Sequence, residues 1–97
     1  MRRNRIDIIV DILSAASKGA SRTRIMYRAN LNFTTFERYF EELLGKGLIK
    51  HVGSSSDNGC PIYKTTEEAE ALLKELDRVD RYIGLQVRNR NKWNSVY

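Results

Sequence analysis

The chain has 97 residues, a formal net charge of +5, 41% apolar and 30% charged residues, which is the composition of one globular domain. No apolar run approaches the roughly 20 residues that span a bilayer, so no membrane partner is expected. The single cysteine, Cys60, allows no intrachain disulfide and points to a reducing, cytoplasmic setting. One Cys and one His (His51) do not make a metal site, and no phosphate loop, cofactor motif or nucleophile–base set is found, so neither an enzyme nor a cofactor is expected.

In chain order, Arg2, Arg3 and Arg5 form a basic arm, able to reach a polyanion or to remain in solvent. Residues 5–17 place Ile6, Ile9, Val10 and Leu13 at the spacing of a helix with one buried face. Lys18-Gly19 ends it. Ser21 caps a second helix through Ile25, Met26 and Ala29, and Asn30 is a left-handed stop. Asn32 is a good N-cap for a third helix whose stripe is Phe33, Phe36, Phe40, Leu43 and Leu44; Thr34 followed by Glu37 offers an alternative capping box. Gly45-Lys46-Gly47 ends that helix.

Residues 48–52 read as a strand, 53–59 as a polar turn and 60–64 as the returning strand of a hairpin. Pro61 places the second strand at an edge, because it has no N–H to give to a ladder. Thr65 or Thr66 then caps a long helix with Glu67, Glu68 and Glu70 in its first turn. Ala69, Leu72, Leu76, Val79 and Ile83 recur at spacings of 3, 4, 3 and 4, a heptad seam suited to pairing with a second copy, with Leu73 turned toward the domain. The opposing possibility is that the seam packs against the first helix. The helix is expected to run to about Val87, a length of roughly 30 Å, with 88–97, including Trp93 and Tyr97, frayed. The expected division is a head over 1–66, a dimerisation helix over 67–88 and a tail over 89–97.

Charge is unevenly placed. Residues 1–30 carry seven Arg or Lys against Asp7 and Asp11, while 66–80 carry six acids. A basic N-terminal half suits a polyanion partner, although solubility charge would look the same.

The order helix, helix, short turn, helix, hairpin, helix is carried by two stretches. One is Thr23-Arg24-Ile25-Met26-Tyr27-Arg28-Ala29-Asn30-Leu31-Asn32-Phe33, and the other is Tyr39-Phe40-Glu41-Glu42-Leu43-Leu44-Gly45-Lys46-Gly47-Leu48-Ile49. With Tyr63-Lys64-Thr65-Thr66 before an acidic helix, they resemble the winged helix-turn-helix family, and within it small archaeal DNA-binding proteins that dimerise through a C-terminal coiled coil. The chain departs from them at Thr65-Thr66-Glu67-Glu68-Ala69, which lacks their basic residue at the last helix's start. The resemblance implies a mainly α (α+β) fold with a two-stranded wing and a long C-terminal dimerisation helix, and double-stranded DNA as partner.

It also implies that the third helix enters the major groove, bringing Thr34, Thr35 and Arg38 to bases or phosphates. The two threonines could equally serve only as caps. Arg22, Arg24 and Arg28 on the second helix would meet phosphates, and so would Lys50 and Lys64 on the wing. Glu37 and Glu41 would repel phosphate and end the footprint near Arg38. Phe33, Phe36, Phe40 and Tyr63 are assigned to the core, and Tyr27 and Tyr39 could bond phosphate. The functional expectation is a sequence-reading transcriptional regulator acting as a homodimer; a nonspecific chromatin-type protein and a protein-interaction module are the alternatives.

Overall fold

The computed structural model describes residues 3–84, with α1 (Arg5–Ala15), α2 (Arg22–Arg28), α3 (Phe33–Gly45), β1 (Ile49–Ser54), β2 (Pro61–Thr65) and α4 (Glu67–Ile83). The expected tail over 88–97 lies outside the described residues.

Helix α1 begins at a capping box: the Asn4 side chain accepts from the Asp7 amide at 2.8 Å, and the Asp7 carboxylate accepts from the Asn4 amide at 3.3 Å. It ends at Ala15, two residues before the expected boundary. The chain then turns through Gly19, whose φ of +89° suits glycine. Ala20 and Tyr63 exchange two backbone hydrogen bonds of 2.9 and 2.8 Å, so a one-residue bridge flanks the hairpin. β2 is an edge strand of the two-stranded sheet, as Pro61 predicts, and Tyr63 bonds Ala20 through its backbone N–H and carbonyl on the side away from β1. Pro61 is tolerated because it sits at the distal end of the ladder, opposite Ser54.

Ser21 caps α2, and Asn30, at φ +56°, stops it, both as the sequence predicts. Asn32 is the cap of α3, accepting from the Thr35 amide at 2.9 Å, which decides against a start at Thr34. At the other end the Gly47 amide bonds the Leu44 carbonyl and the Leu48 amide bonds Leu43, at 3.1 and 3.0 Å. That pair of bonds around left-handed Gly47 is a Schellman motif, and it turns the chain into β1 within three residues. The antiparallel hairpin pairs Ile49 with Thr65, Lys50 with Lys64 and His51 with Tyr63; a bulge at Val52 then shifts the register to Gly53 opposite Ile62.

Thr66, not Thr65, caps α4. Thr65 is buried instead, its hydroxyl donating to the Leu13 carbonyl at 2.5 Å and tying β2 to α1. Helix α4 stops at Ile83, where Gly84 adopts the left-handed conformation, so the expected run to Val87 is corrected.

The core is built from Val10, Ile12, Ile25, Phe36, Phe40 and Ile49. Phe40 stacks on Phe36 at 4.9 Å and meets Tyr63 edge-on at 5.1 Å. Such a pair adds about 1 kcal/mol to simple burial. Three assignments change. Phe33 is 66% exposed rather than core, because the packed layer of α3 begins only at Phe36. Tyr39 is buried, which removes it as a phosphate contact. Ala69 is fully buried with Leu73 in the same core, so it belongs to the head and not to a dimer seam.

Candidate nucleic-acid interface

Helices α2 and α3, joined by Ala29 to Asn32, carry most of the expected contacts, and the hairpin carries two more. On α3, Thr34 and Arg38 are exposed and Thr35 is half-buried. The backbone amide of Thr35 is used by the cap, but its position one turn before Arg38 leaves the hydroxyl side unassigned to the core. The Arg38 guanidinium lies 5.2 Å from the Tyr39 ring centroid, which steadies its stem without neutralising it.

On α2, Arg24 and Arg28 are exposed, and Arg28 donates to the Ala15 carbonyl at 3.2 Å. With Gly19, Ser21, Ser55 and Asn58 they line an open cleft of about 280 Å³ between α2 and the hairpin tip. Lys50 and Lys64 stand directly opposite each other in the ladder. Ile49 and Thr65, the pair before them, are buried, so strand alternation turns both lysines outward. Like charges in that relation disfavour the hairpin unless an anion lies between them. Among the described residues none of Arg24, Arg28, Arg38, Lys50 and Lys64 forms an ion pair.

Among the described residues, the other expected cations are committed internally. Arg3 is not part of a free arm: its guanidinium reaches Asp11 at 2.7 Å and the Ala29 carbonyl at 2.6 Å, and it also donates to the Asn30 carbonyl. It thereby satisfies the carbonyls at the end of α2 and fixes the turn into α3. Arg5 pairs with Glu42 at 2.6 Å beside the Tyr39 ring, and Lys46 joins the same carboxylate at 3.2 Å. Bonds from Lys46 and Arg5 hold the Glu42 carboxyl below the usual carboxylate range. Arg2 lies outside the described residues.

Arg22 bridges Glu37 at 2.8 Å and Glu41 at 2.7 Å while lying over the Phe40 and Tyr63 rings. Burial works against its charge, but bonds to Glu41, Tyr63 and Glu37 outweigh that and raise its pKa above the ordinary arginine value. The two glutamates expected to repel phosphate are thus partly neutralised by a residue expected to bind it. The signal for this was present: Glu37 and Glu41, four apart, share one side of α3.

The seam residues of α4 divide. Leu72, Val79 and Ile83 are 52%, 37% and 66% exposed, Leu76 is half-buried, and Asp77 and Asp80, which the heptad reading passed over, are buried. Leu72 and Leu76 face Ile6 and Ile9 of α1 across an apolar groove of about 200 Å³. The start of the seam packs inside the domain, as the intramolecular reading expects, and its end stands exposed. Within the described residues no cluster of metal ligands occurs, and no helix is long and apolar enough to cross a membrane.

Comparison with known proteins gives the same architecture. A sequence profile of winged helix-turn-helix domains matches residues 2–84. An uncharacterized protein of Methanocaldococcus jannaschii is 34% identical over 84 residues, which are 86% of this chain and 36% of that one, so the chain spans about a third of this relative's length. Sso10a-2, a DNA-binding protein from Sulfolobus solfataricus, superposes with a TM-score of 0.68 at 21% identity, over 97% of this chain and 96% of that chain. ScpB from Mycobacterium tuberculosis superposes with a TM-score of 0.53 at 26% identity, over 78% of this chain and 44% of the other. The likeness to Sso10a-2, at that identity, is one of fold.

Proposed function

The chain belongs to the winged helix-turn-helix family, and from that premise we propose that it is a DNA-binding transcriptional regulator that reads sequence and acts as a homodimer. The observation that carries the reading is the group of five cations, Arg24, Arg28, Arg38, Lys50 and Lys64, that form no ion pair among the described residues, on the α2–α3 unit and the hairpin. Helix α3 offers Thr34, Thr35 and Arg38 to the major groove, where an arginine can take guanine bidentately. The α2 arginines and the wing lysines take phosphates, which set register without carrying sequence. Arg3, Arg5 and Arg22 act at one remove, holding the reading helix in place.

The homodimer rests on Leu72, Leu76, Val79 and Ile83. A stripe of this kind on one helix is an association surface, and its continuity with the α1–α4 groove gives a second copy's helix an apolar seat. Light scattering should return twice the chain mass. Val79→Asp with Ile83→Asp, both outside the core, should return a folded monomer; a wild-type monomer at micromolar concentration would remove the dimer from the reading.

The DNA reading is tested by binding of a fluorescent duplex over a salt series. Four phosphate-facing cations per protomer, Arg24, Arg28, Lys50 and Lys64, predict a slope of log affinity on log salt of roughly −3 to −4 for each bound protomer. A flat dependence, or no binding at low salt, defeats the reading and leaves a protein-interaction module. Affinity that does not vary with duplex sequence would instead favour a chromatin-type protein.

A further inference from the structure

Phe33 is the first residue of α3 and is 66% exposed, whereas Phe36 and Phe40, three and seven residues on, are 1% and 0% exposed. It belongs to no part of the core and makes no ring contact among the described residues. A large apolar side chain is thus held out at the leading end of the helix. Thr34 and Arg38 of the same helix and Arg24 and Arg28 of α2 are also exposed, and three of these four are cationic. Those cations favour a polyanion over an apolar protein surface as the occupant.

A phenyl ring offers no donor or acceptor in the plane of a base edge, so it cannot serve the phosphate or the hydrogen-bonding groups. The major groove presents one apolar group, the 5-methyl of a pyrimidine, carried by thymine and absent from unmodified cytosine. We propose that Phe33 is a specificity-determining residue that packs on the thymine 5-methyl, so that the protein prefers a thymine where the leading turn of α3 enters the groove. This rests on the DNA-binding reading above and adds a chemical identity to one position of the site.

The test uses a duplex selected from a random pool by the wild-type protein, with each thymine replaced in turn by deoxyuridine. That exchange deletes the methyl and keeps the base pair. One position per bound protomer should lose about fourfold in affinity, the amount that one buried methyl carries. Phe33→Ala should bind the thymine duplex about as weakly as the wild type binds the uridine duplex, and should itself ignore the exchange; Phe33→Leu should restore part of the sensitivity. Because Phe33 lies outside the core, circular dichroism of both variants should match the wild type. Replacing that thymine–adenine pair by a cytosine–guanine pair, with and without the cytosine 5-methyl, separates a methyl effect from a thymine one: gain from the methyl extends the proposal to any 5-methylpyrimidine, and no gain limits it to thymine. Wild-type affinity indifferent to every uridine, or Phe33→Ala equally sensitive to it, overturns the proposal while leaving DNA binding intact. Failure to bind any duplex at low salt would overturn both.

Discussion

Arg22 and Arg24 are two residues apart on one short helix and have opposite fates. Arg22 turns inward, lies over Phe40 and Tyr63, and closes on Glu37 and Glu41. Arg24 turns to the cleft beside the hairpin, which Asp57 also lines, and forms no ion pair among the described residues. The same division runs through the molecule: Arg3, Arg5 and Lys46 stitch α1, α2 and α3 together, while Arg28, Arg38, Lys50 and Lys64 stay open. A positive charge count therefore overstates the surface available to an anion. The committed cations hold the helices together and the open ones face solvent.

The sharpest way to break that division is at Asp11. Asp11→Ala removes the carboxylate beneath Arg3 and leaves a largely buried guanidinium short of its charged partner. Loss of a hydrogen-bonded charge of this kind should lower stability by about 2–3 kcal/mol in urea unfolding. Arg24→Ala, by contrast, should change stability by no more than about 0.5 kcal/mol. Equal effects would mean that the committed and open cations are not distinct.

Binding should separate them in the reverse sense. Arg24→Ala with Arg28→Ala is expected to reduce the salt slope by about 2, one unit for each lost phosphate contact, with no change in the unfolding midpoint. Glu37→Gln with Glu41→Gln releases Arg22 from its clasp. This pair of changes should tighten duplex binding and steepen the slope by about 1, while stability moves within about 1 kcal/mol, as for exposed ion pairs. Unaltered binding there would show that Arg22 cannot reach a phosphate even when freed.

The smallest effect concerns pH. The Glu42 carboxyl is held below its ordinary range by Lys46 and Arg5, so its folded-state pKa is depressed. Its contribution is complete above the unfolded value of about 4.3 and is lost as pH falls through the lowered folded value. Glu42→Gln should therefore narrow the gap from wild type in acid and leave it widest near neutrality, followed by thermal melting from pH 7 to pH 3.

The caps and stops were legible in the chain. Ser21, Asn30, Asn32 and Gly47 each act through the backbone within four residues of themselves, so local composition is enough to place them. The hairpin and the order of helices followed for the same reason. Phe33 misled because periodicity gives a residue's direction around the helix but not whether anything lies opposite it at that height. Ala69 was drawn into a seam by its heptad position, although only the packing of α4 on α1 decides where the domain ends along that helix.

What the sequence determined alone is the fold's punctuation and the presence of an excess of positive charge. Which charges are spent inside, which face outward, and how far α4 stands clear of the head were decided by tertiary structure. The reason is physical: caps and turns depend on neighbours in the chain, whereas an ion pair such as Arg22 with Glu37 depends on residues fifteen apart that only packing brings within 2.8 Å.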